Sequence, residues 1–130
     1  MKKRIRDLVP GDLPRQLEAA RLDLLALFRA IDRLDLGAHE IPQEELHDLF
    51  ELDGDLAEAL AVLSQPARGL NVAAMLEDTL ASLDRLPRAR KDFLAGLAPR
   101  GLRPLAVEEA RVRASLAPKE AYHSIPGHDS

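Results

Sequence analysis

Pro14 to Leu34, PRQLEAARLDLLALFRAIDRL, is the stretch whose reading decides the fold. At about 100° per residue, Leu17, Ala20, Leu24, Leu27, Phe28, Ile31 and Leu34 share one side of a helix, while Glu18, Arg21, Arg29, Asp32 and Arg33 mostly lie elsewhere. Pro14 suits a first turn, where a missing N–H removes no intrahelical bond, and Asp12 stands near enough to cap it. Gly37 ends the pattern. Leu22 and Leu25 fall outside the main stripe and widen the apolar surface, which predicts either a central position in a bundle or a second contact surface.

The same periodicity recurs downstream. A second helix is expected from Pro42, with Glu44 and Glu45 in a first turn where negative charge favours the helix dipole. Its apolar face reads Leu46, Leu49, Phe50, Leu56, Leu60 and Leu63, and Asp53-Gly54-Asp55 predicts a weak point or a break. After a loop at 65–69, a third helix is expected with Val72, Ala73, Leu76, Leu80, Leu83 and Leu86 on one side, ended or kinked by Pro87. Residues 88–98 suggest a short helix with Phe93, Leu94 and Leu97 turned inward. Beyond Pro99, Gly101 and Pro104, a last segment at 105–117 carries only a thin face of Leu105, Val112 and Leu116.

The expected fold is therefore all-α, a small helical bundle of three main amphipathic helices plus one or two short C-terminal helices. The 130 residues suffice for one domain with its own core. Leu, Ala, Ile and Val must build that core, because the aromatic residues number only four, and Leu and Ala favour helix over strand. The organisation reads as a basic N-terminal arm at 1–12, a bundle domain at 13–117 and a flexible tail at 118–130.

Without cysteine, the chain has neither disulfides nor thiolate chemistry. The basic start at 1–6 is followed by Asp7, Pro10, Gly11, Asp12 and Pro14, which interrupt the apolar run a signal peptide needs. No stretch approaches the roughly 20 apolar residues that span a bilayer. A soluble, cytoplasmic protein is the expectation.

Charge is distributed unevenly along the chain. Residues 7–84 hold 17 acids against five arginines, whereas residues 85–130 hold nine bases against five acids. The acidic run includes Glu40, Glu44, Asp48, Glu51, Asp55 and Glu58, and between Glu40 and Glu58 there is no Lys or Arg. The main basic cluster is Arg85, Arg88, Arg90, Lys91, Arg100 and Arg103. Such polarity suits a charged partner or head-to-tail self-association.

Few patterns suggest chemistry. Glu44 and His47 have the Glu-x-x-His spacing of carboxylate-bridged metal bundles, yet the periodicity turns them away from the apolar stripe and no second such motif exists. None of the serines sits in a Gly-x-Ser-x-Gly elbow, and no glycine-rich phosphate loop is present. No cofactor is expected. The leading reading is a non-catalytic protein–protein interaction or self-association module, using Leu22 and Leu25 with the acidic and basic patches. Two alternatives are an accessory nucleic-acid-binding protein that uses the basic cluster, whose one interleaved aromatic, Phe93, is expected to turn inward rather than stack on bases, and a metal-binding bundle with Glu44 and His47 as ligands.

Overall fold

The computed structural model describes residues 3–69 and 71–124, with side chains as far as residue 116. Among these residues four α-helices carry the fold: α1 (Leu13–Asp32), α2 (Gln43–Leu63), α3 (Val72–Gly96) and α4 (Pro99–Ser124), with 3-10 turns at Ile5–Leu8 and Ala38–Glu40. The protein is an all-α helical bundle. Among the described residues the only β feature is an isolated antiparallel bridge between Arg4 and Pro66.

α1 lies at the centre of the packing. It lines up against both α2 and α4, while α3 packs mainly on α2. This follows from its composition, since Leu13, Leu17, Ala20, Leu24, Ala26, Leu27, Ala30 and Ile31 are all buried. Against them stand Leu49, Leu56 and Leu63 of α2, Phe93 of α3, Leu97 of the α3–α4 connection and Leu105 of α4, in one continuous core. Each fully buried leucine contributes about 1.5–3 kcal/mol relative to exposure.

Several breakers read from the sequence are overridden by this burial. α2 runs unbroken through Gly54, because Leu52 and Leu56 on either side are wholly buried. The burial outweighs the glycine's penalty of about 1 kcal/mol. α3 likewise continues through Pro87, so the expected third helix and the short helix after it are one element. Proline keeps a helical φ and forfeits one backbone bond, a loss set against the anchoring of Phe93 further along the same helix. Pro99 opens α4, and Gly101 and Pro104 lie within its first turns, so the last helix starts earlier than position 105. It also extends to Ser124, past position 117 where the tail was placed; residues 125–130 of that tail lie outside the described residues.

The N-terminal segment is not a detached arm. Ile5 is fully buried, its N–H donates to the Gln65 carbonyl at 3.0 Å, and the Ala67 N–H donates to the Lys3 carbonyl at 3.1 Å. One apolar residue among four bases carries too little periodicity to reveal this strap, which covers the α2–α3 loop. That loop turns at Gly69, whose φ of 72° is accessible to glycine without strain.

At the opposite end of the bundle the chain packs closely around the α3–α4 turn. A Cβ on Gly96 would come within 2.9 Å of the Pro42 ring, and one on Gly101 within 2.8 Å of Leu36. The Ala98 N–H donates to the Glu40 carbonyl at 3.1 Å, which ties this turn to the segment between α1 and α2. No described helix is long and apolar enough to cross a membrane.

Candidate functional site

The α1–α2 seam carries an exposed apolar surface. Leu22 and Leu25 are each 37% exposed on the outer side of α1. Phe50 departs from expectation: instead of joining the core it is 50% exposed, with its ring 4.6 Å from that of Phe28 in a tilted arrangement. The reason is azimuthal. The buried residues Leu49, Leu52, Leu56 and Leu63 define the inner line of α2, and Phe50 stands one residue, about 100°, away from Leu49.

Leu22, Leu25, Phe28 and Leu60 line a groove of about 410 Å³ between the two helices, rimmed by Glu18, Arg21 and Asp53. Arg21 spans the helices here, its Nε donating to Asp53 Oδ1 at 3.0 Å and its Nη2 to Oδ2 at 3.3 Å. That hydrogen bond raises the Arg21 pKa above its ordinary value and ties the Arg21 and Asp53 charges to each other at the rim, while Glu18 has no ion pair among the described residues.

Five of the six acidic residues, Glu44, Asp48, Glu51, Asp55 and Glu58, share one side of α2 at spacings of 4, 3, 4 and 3, and Glu40 stands apart from them. Glu40 lies outside α2, in the turn before it, and its carboxylate accepts two hydrogen bonds from Arg100 and one from the Gly37 N–H at 2.9 Å. The Arg100 hydrogen bonds are the main reason its pKa falls from 4.5 to about 2, with the Gly37 bond second. Glu44, Asp48, Glu51, Asp55 and Glu58 are exposed on α2, but Asp48 faces Arg85 and Arg88 across a shallow cavity while Asp55 and Glu58 line another beside Met75 and Thr79.

The basic cluster is more dispersed, and much of it is paired within the chain. Arg90 donates twice at 2.8 Å to Glu109, a carboxylate only 8% exposed, and this raises the Arg90 pKa. Arg113 bridges Asp23 at 2.6 Å and Glu109 at 4.0 Å, so α1, α3 and α4 meet at a four-residue charge network. Arg88 pairs with Asp92 on its own helix, and Arg100 with Glu40. Arg85, Lys91 and Arg103 are exposed and have no ion pair among the described residues.

His47 contacts Glu51 at 3.5 Å, with both side chains well exposed, rather than Glu44. Among the described residues no group of three or more His, Asp or Glu side chains converges as a metal cage would require. A larger cavity, about 480 Å³, opens between Leu34, Leu36, Pro104 and Val107; of its rim arginines, Arg33 and Arg100 are engaged with Glu108 and Glu40, and Arg103 has no ion pair among the described residues.

Fold and surface together define a small four-helix bundle with one helix apolar on two sides. No protein-family model, curated protein or solved structure matches this chain.

Proposed function

We propose that this chain is a helical interaction module whose docking surface is the α1–α2 face. A single observation carries the reading: Leu22 and Leu25, each more than a third exposed, line one groove with Phe28, whose ring packs against the half-exposed ring of Phe50. Isolated exposed leucines are ordinary, whereas an apolar cluster with a half-exposed aromatic ring and a polar rim has the composition of a protein-binding patch. The basic cluster supports a phosphate-binding reading less well, because Arg88, Arg90 and Arg100 already carry intramolecular partners that a phosphate would have to displace.

Photo-crosslinking in the source cells tests this reading. A crosslinking side chain at position 22 or 25 is expected to give a discrete covalent adduct, and one at the exposed control position Arg111 is not. Equal adducts from all three positions, or none from 22 and 25, would overturn the proposal.

A further inference from the structure

We infer that the docking partner is a second copy of this chain, laid antiparallel along α1 about a two-fold axis between Leu22 and Leu25. The inference rests on the α1–α2 face being the docking surface. Along the outer side of α1, Arg15, Glu18, Leu22, Leu25, Arg29 and Asp32 are all exposed and are spaced 3, 4, 3, 4, 3. That is the heptad spacing of a coiled-coil seam, and 18 residues of it extend about 27 Å.

The order of residues in this seam is self-complementary. Turning one copy antiparallel about the midpoint sets Leu22 against Leu25 of the other copy, Glu18 against Arg29, and Arg15 against Asp32. Because a two-fold contact occurs twice, the seam gains four opposite-charge pairs around a centre of four leucines. A parallel arrangement in register would instead set Glu18 against Glu18 and Arg29 against Arg29, so charge selects the antiparallel one. Arg15, Glu18, Arg29 and Asp32 make no ion pair among the described residues, in contrast to Arg21 and Asp23 on the same helix. The groove beside the seam, with Phe28 and Leu60 in its wall and Phe50 on its flank, adds apolar area for the second copy.

Charge reversal with mixing tests this arrangement in the full chain. Sedimentation equilibrium at low salt should show a concentration-dependent dimer. Glu18→Arg sets arginine against Arg29 at two sites and Arg29→Glu sets glutamate against Glu18 at two sites, so each variant alone should weaken the dimer about tenfold or more. An equimolar mixture of the two makes every Glu18–Arg29 contact opposite in sign again, and should restore dimerisation to within about threefold of the unaltered chain. The double variant should do the same by itself. All substituted positions are exposed, and circular dichroism verifies that the helices persist. Unchanged dimerisation in the single variants, or no recovery on mixing, would overturn the antiparallel seam. A chain monomeric at every concentration would overturn the second copy as occupant, and the mass of the adduct crosslinked from position 22 would then decide separately whether the face docks a foreign protein.

Discussion

α1 and α4 are neighbours of similar length, yet they hold their places by different physics. α1 buries eight residues, every one of them apolar, and still leaves Leu22 and Leu25 in solvent. In α4, among the described side chains, only Leu105 and Val112 are buried large apolar residues, and the buried position between them is Glu109. Charge completes what that narrow stripe begins: Glu108 meets Arg33, Glu109 meets Arg90, Arg113 meets Asp23 and Arg100 meets Glu40. The width of the apolar stripe thus decides how a helix docks. Among the described residues α1 keeps unpaired charges beside its exposed leucines, whereas α4, although it leaves Leu102 and Val107 exposed, has spent most of its charged residues on the bundle itself.

The contrast breaks if trimming the inner side of α1 is cheap. Leu27 is fully buried, so Leu27→Ala should cost about 3 kcal/mol through lost transfer energy and a residual cavity. Leu22→Ala, on the outer side of the same helix, should change stability by less than about 0.5 kcal/mol. Urea denaturation at low protein concentration reads both, and similar losses would show that α1 does not have one core side and one spare side.

On α4 the corresponding change removes a charge. Arg90→Ala leaves the Glu109 carboxylate buried without its bidentate partner, and should destabilise the fold by about 2 kcal/mol, moderated because the Arg90 side chain is 34% exposed. Hydrogen exchange should accelerate in α4 more than in α1. Replacing the pair together, Arg90→Met with Glu109→Leu, should recover most of the loss, because no uncompensated charge then remains buried. If the double replacement were as damaging as the single one, the pair would be holding α4 by more than charge compensation.

These differences mark how far the sequence could be read. The periodicity of α1 identified its core line and its surplus leucines, because both are properties of one helix. Continuity through Gly54 and Pro87 was not legible, since a breaker yields only when burial on either side outweighs it, and that burial involves distant elements. Phe50 was misplaced for a related reason: an aromatic residue among leucines fits the apolar face until the rotation of α2 about its own axis is fixed by packing. The charge asymmetry was real, but pairings such as Arg90 with Glu109 depend on how the helices rotate against each other, so polarity along the chain could not separate contacts within the molecule from contacts between molecules.

The smallest expected effect lies where α4 begins. Glu40, held from its ordinary 4.5 down to about 2 chiefly by the Arg100 hydrogen bonds and then by the Gly37 N–H, is a carboxylate whose pKa is lowered by folding. The unfolded chain therefore binds this proton more readily than the folded one. Its contribution to stability is complete above about pH 4.5 and disappears as the pH falls toward about 2. Other carboxylates also lose partners in acid, so the diagnostic quantity is the difference between the protein and its Glu40→Gln variant. That difference in melting temperature should be positive at pH 6, shrink steadily below pH 4.5 and vanish near pH 2, with a similar convergence for Arg100→Ala. A pH-independent difference would mean that Glu40 acts by shape, through its contacts around Gly37 and Ala98, and that the first turn of α4 is held by packing much as α1 is.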